Sequence, residues 1–193
     1  MTKSRLEAFS DGVLAIIITI MVLELKVPHE ATLHALAEVL PVFLSYLLSF
    51  IFVGIYWGNH HHLLHTAHGV NSKIIWSNMG LLFMLSLIPF TTAWMGENNF
   101  STLPVSLYAA NLLFCAIAFY LLQRAIMSGH QQSTKLIEAL KMQEKKGIIS
   151  LCIYIAAVPG AFVHPLISGV LIVLTAVLWV IPDKNIEAAL KDS

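Results

Sequence analysis

The sequence predicts an all-α integral membrane bundle of six transmembrane helices with both ends of the chain cytoplasmic. Three observations predict it. The 193 residues are 58% hydrophobic and only 11% charged, where soluble domains carry about 25% charge. Mean hydropathy is +0.78, more apolar surface than a soluble core of this size can hide. The apolar residues also fall into segments near the roughly 20 residues that span a bilayer.

The first segment covers about 6–27 and is closed by Pro28. Lys3 and Arg5 resemble the basic start of a secretory signal. Glu7 and Asp11 interrupt it, and no small-x-small site follows Leu23, so a retained helix is expected. The second covers about 36–58, the third about 73–95 and the fourth about 104–126. The fifth, about 147–163, and the sixth, about 166–182, meet at His164-Pro165. Pro159-Gly160 is expected to kink or shorten the fifth. Between the fourth and fifth, 130–146 spaces Leu136, Leu140 and Met142 among Lys and Glu, as an interfacial or cytoplasmic extension does. No linker separates domains, so residues 1–193 form one unit. With six spans, ten of the eleven Lys and Arg residues fall on one side and only Lys26 on the other. Basic residues stay inside, which sets the termini in the cytoplasm.

Composition also excludes classes of function. Formal net charge is zero, which argues against nucleic acid as a partner. Cys115 and Cys152 lie in apolar runs without C-x-x-C spacing and read as two buried thiols, with no disulfide framework. There is no Thr-Val-Gly-Tyr-Gly filter loop, no P-loop, no G-x-S-x-G and no arginine-rich voltage sensor. Few polar residues sit at mid-membrane, which argues against a carboxylate proton relay.

On the first segment, at 100° per residue, Phe9, Gly12, Ile16, Thr19, Ile20, Leu23 and Val27 share one face. By periodicity alone that stripe faces lipid or packs on a neighbour, with Thr19 bonded back to the Ala15 carbonyl. Asp11 and Ser10 point away from it. An acid within a membrane helix is costly without a partner. The second connection supplies His60, His61, His62 and His65, with His68 beyond. His61, His65 and His68 share a helical face. Three roles stay open for these imidazoles: a metal or haem site, a partner for Asp11, or a solvated polar loop. Asn78, mid-helix, is placed to hydrogen-bond between helices.

Three motifs occur in order: Arg5-x-x-x-Phe9-Ser10-Asp11, Trp57-x-x-His60-His61-His62-Leu63-Leu64, and Pro89-Phe90-x-x-Ala93 leading to Gly96-Glu97. Together they resemble the transmembrane protein 175 potassium channels over about the first hundred residues. The resemblance implies a homotetramer in the cell (plasma) membrane whose four first helices line a K+ pathway, with no enzymatic activity, cofactor or metal. It implies an apolar constriction at Ile16, further apolar layers at Ile20 and Leu23, and an assisting hydroxyl at Thr19. It also implies a helix-packing cluster of Arg5, Phe9, Ser10, Asp11, Trp57, His60 and His61. Where some relatives carry serine before the constriction this chain has Ala15, which implies weaker selectivity. The rival expectations are a proton-permeable channel, a histidine-ligated membrane metalloenzyme and a secondary transporter.

Overall fold

The computed structural model describes residues 2–67, 69–128 and 134–180. Among them the chain is all helical, with α1 (Lys3–Leu23), α2 (Leu33–Glu38), α3 (Leu40–His65), α4 (Ser72–Ser86), α5 (Ile88–Glu97), α6 (Thr102–Met127), α7 (Thr134–Val163) and α8 (Pro165–Val180). Among the described residues, five stretches are long and apolar enough to cross a membrane: Lys3–Leu23, Leu40–His65, Ser72–Glu97, Thr102–Met127 and Leu140–Val163. Pro165–Val180 is apolar but shorter. The expected final residues 181–182 of the sixth segment lie outside the described residues, as do His68, His130, Lys184 and Lys191.

Several expected boundaries move, each for a local reason. α1 stops at Leu23 rather than 27. Pro28 disfavours helical backbone at Val27, so the last turn is not held. The second segment divides. The Thr32 hydroxyl caps α2 by accepting from the Ala35 N–H at 3.2 Å, and Pro41 sits in the first turn of α3, where its missing N–H costs nothing. α3 then continues to His65, so the histidines expected in a connection occupy its last two turns. Nothing from Gly58 to His65 breaks a helix, and His62 and His65 suit its C-terminal end.

The Ser72–Glu97 span is interrupted at Leu87, because Pro89 donates no hydrogen bond and its ring crowds the Leu85 carbonyl. α6 fills the break. The neighbours dictate the orientation of the Asn111 carboxamide. Its Nδ2 donates to the Met84 carbonyl at 3.1 Å, and its Oδ1 accepts from the Ile88 N–H and the Thr91 hydroxyl, both at 3.3 Å. Beyond Glu97 the chain reverses in a Schellman turn. The Phe100 N–H bonds the Met95 carbonyl at 3.0 Å and the Asn99 N–H bonds that of Gly96 at 3.1 Å. Asn99 takes the left-handed conformation the motif needs, at φ 49°.

α7 runs through Pro159 to Val163, so that proline does not shorten it. Its first turns hold the stretch expected as an interfacial extension, of which 130–133 lie outside the described residues. This part is docked. Gln123 Nε2 donates to the Leu140 carbonyl at 3.0 Å, and Gln143 Nε2 donates to Asn59 Oδ1 at 3.1 Å. Arg124 pairs with Glu144 at 3.3 Å. Of the two thiols, Cys115 is buried and Cys152 is exposed. The expectation of two buried thiols fails for Cys152, which no described residue covers enough to bury.

Candidate functional site

α1 has two faces, and they meet different surroundings. Leu6, Ser10, Leu14, Ile17 and Met21 are buried, following the i, i+4, i+7 spacing of one helical face. This face packs on α3, α4 and α5. The opposite face carries Phe9, Gly12, Ile16, Thr19, Ile20 and Leu23, all exposed within the single subunit. Ile16 is 58% exposed and Leu23 79%. Burying a large aliphatic side chain away from water is favourable by about 1.5–3 kcal/mol. On a membrane-spanning helix such side chains meet lipid or a neighbouring chain, and the other spans expose apolar side chains as well. Thr19 turns its hydroxyl back on the helix and donates to the Ile16 carbonyl at 2.9 Å, not to that of Ala15. Beside this face, a groove of about 590 Å³ runs between α1 and α5, with Ile16, Ile20, Phe90 and Trp94 among its walls. Phe90 and Trp94 stack at 6.4 Å along it.

The buried face is fixed by a polar chain through three helices. His60 of α3 is 1% exposed and its Nε2 lies 2.6 Å from Asn78 Oδ1 of α4. Asn78, fully buried, donates from Nδ2 to the Ser10 hydroxyl of α1 at 3.0 Å. Ser10 in turn donates to the Leu6 carbonyl at 2.8 Å. The direction of this chain assigns the imidazole proton. Asn78 Oδ1 can only accept, so His60 carries its proton on Nε2. Every member is satisfied, which is what makes a buried polar network stabilising rather than costly.

A second clamp lies at the rim. The Trp57 indole N–H donates to Asp11 Oδ1 at 3.0 Å. The partner of the acid is therefore an indole, while His60 is engaged with Asn78. His61 stacks on Trp57 at 6.4 Å and on His65 at 6.3 Å. Lys3 Nζ donates to the His65 carbonyl at 2.6 Å, tying the start of α1 to the end of α3. At the other end of α1, Lys26 pairs with Glu97 at 2.7 Å. The Glu97 carboxylate, first by hydrogen bonding and then by its charge, raises the Lys26 ammonium above its ordinary value.

The residues singled out in the sequence thus divide three ways. Ser10, His60, Asp11 and Trp57 are brought into the two clamps, and His61 stacks on the Trp57 ring beside the second. Ile16, Thr19, Ile20 and Leu23 form the open face. Arg5 and Phe9 are exposed, Phe9 at the start of that same face, and take no part in either clamp. Sequence reasoning missed the Lys26–Glu97 pair and the Asn111 plug, since neither residue pair is local. Among the described residues, no group of three or more His, Cys, Asp or Glu side chains could hold a metal ion.

Comparison with known proteins identifies the family and the fold. The family model described as "Endosomal/lysosomal potassium channel TMEM175" matches residues 5–89, which include both clamps and the open face of α1. A potassium channel of Chryseobacterium sp. (strain P1-3) is 49% identical over 193 residues, 100% of each chain. The endosomal/lysosomal proton channel TMEM175 of Gallus gallus is 38% identical over 100 residues, 45% of this chain and 19% of that one. The crystal structure of a lysosomal potassium-selective channel TMEM175 homolog from Chamaesiphon minutus matches with a TM-score of 0.82 at 26% identity. That match covers 94% of this chain and 97% of the other.

Proposed function

The chain belongs to the TMEM175 family of ion channels, not to an enzyme family, and on that premise we propose that four copies form a potassium-selective, leak-type cation channel. One observation carries the proposal: α1 commits its buried face to its own subunit and leaves Ile16, Thr19, Ile20 and Leu23 open. Four such faces around an axis make stacked apolar rings. Ile16 forms the tightest ring, Ile20 and Leu23 add layers, and the Thr19 hydroxyls assist. Apolar rings gate by dewetting, and a narrow ring favours the ion that sheds water more readily. K+ is less strongly hydrated than Na+, so it crosses at lower cost. Ser10, Asp11, Trp57 and His60 set the angle of α1, His61 backs the Trp57 ring, and Arg5 and Phe9 act in the fit between subunits.

The chain is read as one domain over residues 1–193. It spans the plasma membrane six times, with both ends in the cytoplasm and α8 as the last span. No bound cofactor is needed, and K+ is the permeant ion. The experiment is flux from liposomes that hold the purified oligomer in a K+ gradient. Potassium efflux is expected, and its absence from a folded tetramer contradicts the proposal. A second reading, proton permeation, is favoured by the name of the avian relative. A reversal potential that follows a pH gradient instead of the K+ gradient would select it.

A further inference from the structure

The last two turns of α3 hold an imidazole pair that neither clamp uses. His61 and His65 stand at i and i+4, so they share one helical face. Both are exposed. Their rings lie 6.3 Å apart and nearly parallel, with 21° between planes. Each makes ring contacts, but among the described residues neither ring nitrogen has a hydrogen-bond partner. Lys3 reaches the His65 backbone carbonyl and leaves the ring alone. His60, one residue earlier, shows the contrast, since its ring is buried and spoken for.

We propose that His61 and His65 form a two-imidazole site for a divalent transition-metal ion of the zinc or copper class. The i, i+4 pair on one helix face is the arrangement that supplies two nitrogens to zinc in helical metal sites. Imidazole suits zinc, copper and nickel, and discriminates against Mg2+ and Ca2+, which prefer oxygen. Coordination needs Zn–N distances of about 2.0–2.1 Å, which the exposed rings reach by tilting toward each other, without backbone movement. Among the described residues two protein ligands are offered, and water completes the shell. The ion is therefore exchangeable and not a structural cofactor. Charges near the pair oppose one another. Lys3 weakens binding, while Asp11 lies one turn deeper, joined through the Trp57 indole that stacks on His61.

That stack provides an optical readout. Copper held by His61 sits against Trp57 and quenches its fluorescence. The test is calorimetric titration of the tag-free, detergent-purified protein with Zn2+, alongside fluorescence titration with Cu2+. One Zn2+ per chain is expected, and either His61→Gln or His65→Gln weakens binding by roughly 10- to 100-fold or more. His34→Gln, on the far side of the molecule, leaves it unchanged. Trp57→Phe keeps Zn2+ binding but removes the Cu2+ quench. The proposal is overturned if the unaltered protein shows no saturable Zn2+ binding. It is also overturned if folded His61→Gln and His65→Gln variants bind as the unaltered protein does, or if the quench survives Trp57→Phe.

Discussion

The chain from His60 through Asn78 to Ser10 holds α1 at a fixed angle, and cutting it at Asn78 has a cost that the structure lets one work out. Asn78→Ala removes the bond to His60 at 2.6 Å and the bond to Ser10 at 3.0 Å. Between membrane helices such bonds contribute about 0.6 kcal/mol on average, reaching about 1.7. The larger loss is the His60 Nε2–H, which is left buried without an acceptor at roughly 1–3 kcal/mol. The sum is roughly 2–4 kcal/mol, or between one and three powers of ten in the folded-to-unfolded ratio. Equilibrium unfolding of the solubilised protein in a denaturing detergent, followed by helicity, reads this out. The paired variant His60→Leu with Asn78→Leu removes donor and acceptor together, and lies within about 1 kcal/mol of the unaltered protein. A coupling of roughly 1–3 kcal/mol between the two positions is therefore expected. The reasoning is refuted if Asn78→Ala unfolds within about 0.5 kcal/mol of the unaltered protein. It is equally refuted if the paired variant shows the plain sum of the two single losses.

Two further variants test the packing around this helix. An alanine Cβ at Gly96 would lie 2.5 Å from Ser45 Oγ and 2.7 Å from Val42 Cα, so α3 and α5 must separate. Gly96→Ala should destabilise by roughly 1–3 kcal/mol, whereas Gly80→Ala, which meets nothing within 4 Å, should not; thermal denaturation compares the two. The Lys26–Glu97 pair is solvent-exposed, so Lys26→Gln should leave stability unchanged. Because the Lys26 ammonium is raised in the folded protein, its contribution is complete below the ordinary lysine value and fades only as pH climbs through the raised one. Melting curves of Lys26→Gln and the unaltered protein should therefore run parallel between about pH 6 and pH 9, and a divergence there would refute this.

Much of the fold was legible because bilayer thickness imposes a length on apolar segments, and those lengths are written in the chain. What packs against the interruptions and extensions was not. The Leu87 break itself follows from Pro89, but the Asn111 side chain of α6 that fills it is a tertiary fact, as are the Gln123, Asn59 and Arg124 contacts that dock the start of α7. The two faces of α1 were visible as an angular pattern, since helical geometry alone separates Ile16 from Ser10. What the pattern left out was the pairing. An acid needs a partner, but Trp57 offers an indole N–H as good as any imidazole, and distance decided between them. His60 looked like one histidine among five. Only its burial beside Asn78 sets it apart from His61 and His65.

The central claim is that the open face of α1 is the surface past which ions are selected. The direct measurement is the reversal potential of single channels in a planar bilayer, with K+ on one side and Na+ on the other. The unaltered protein should reverse at a potential that marks K+ preference. Ile16→Asn should shift it toward zero with a larger conductance, because a polar ring stays wet and admits the more strongly hydrated ion. An Ile16→Asn channel with unchanged conductance and unchanged reversal potential would contradict the account.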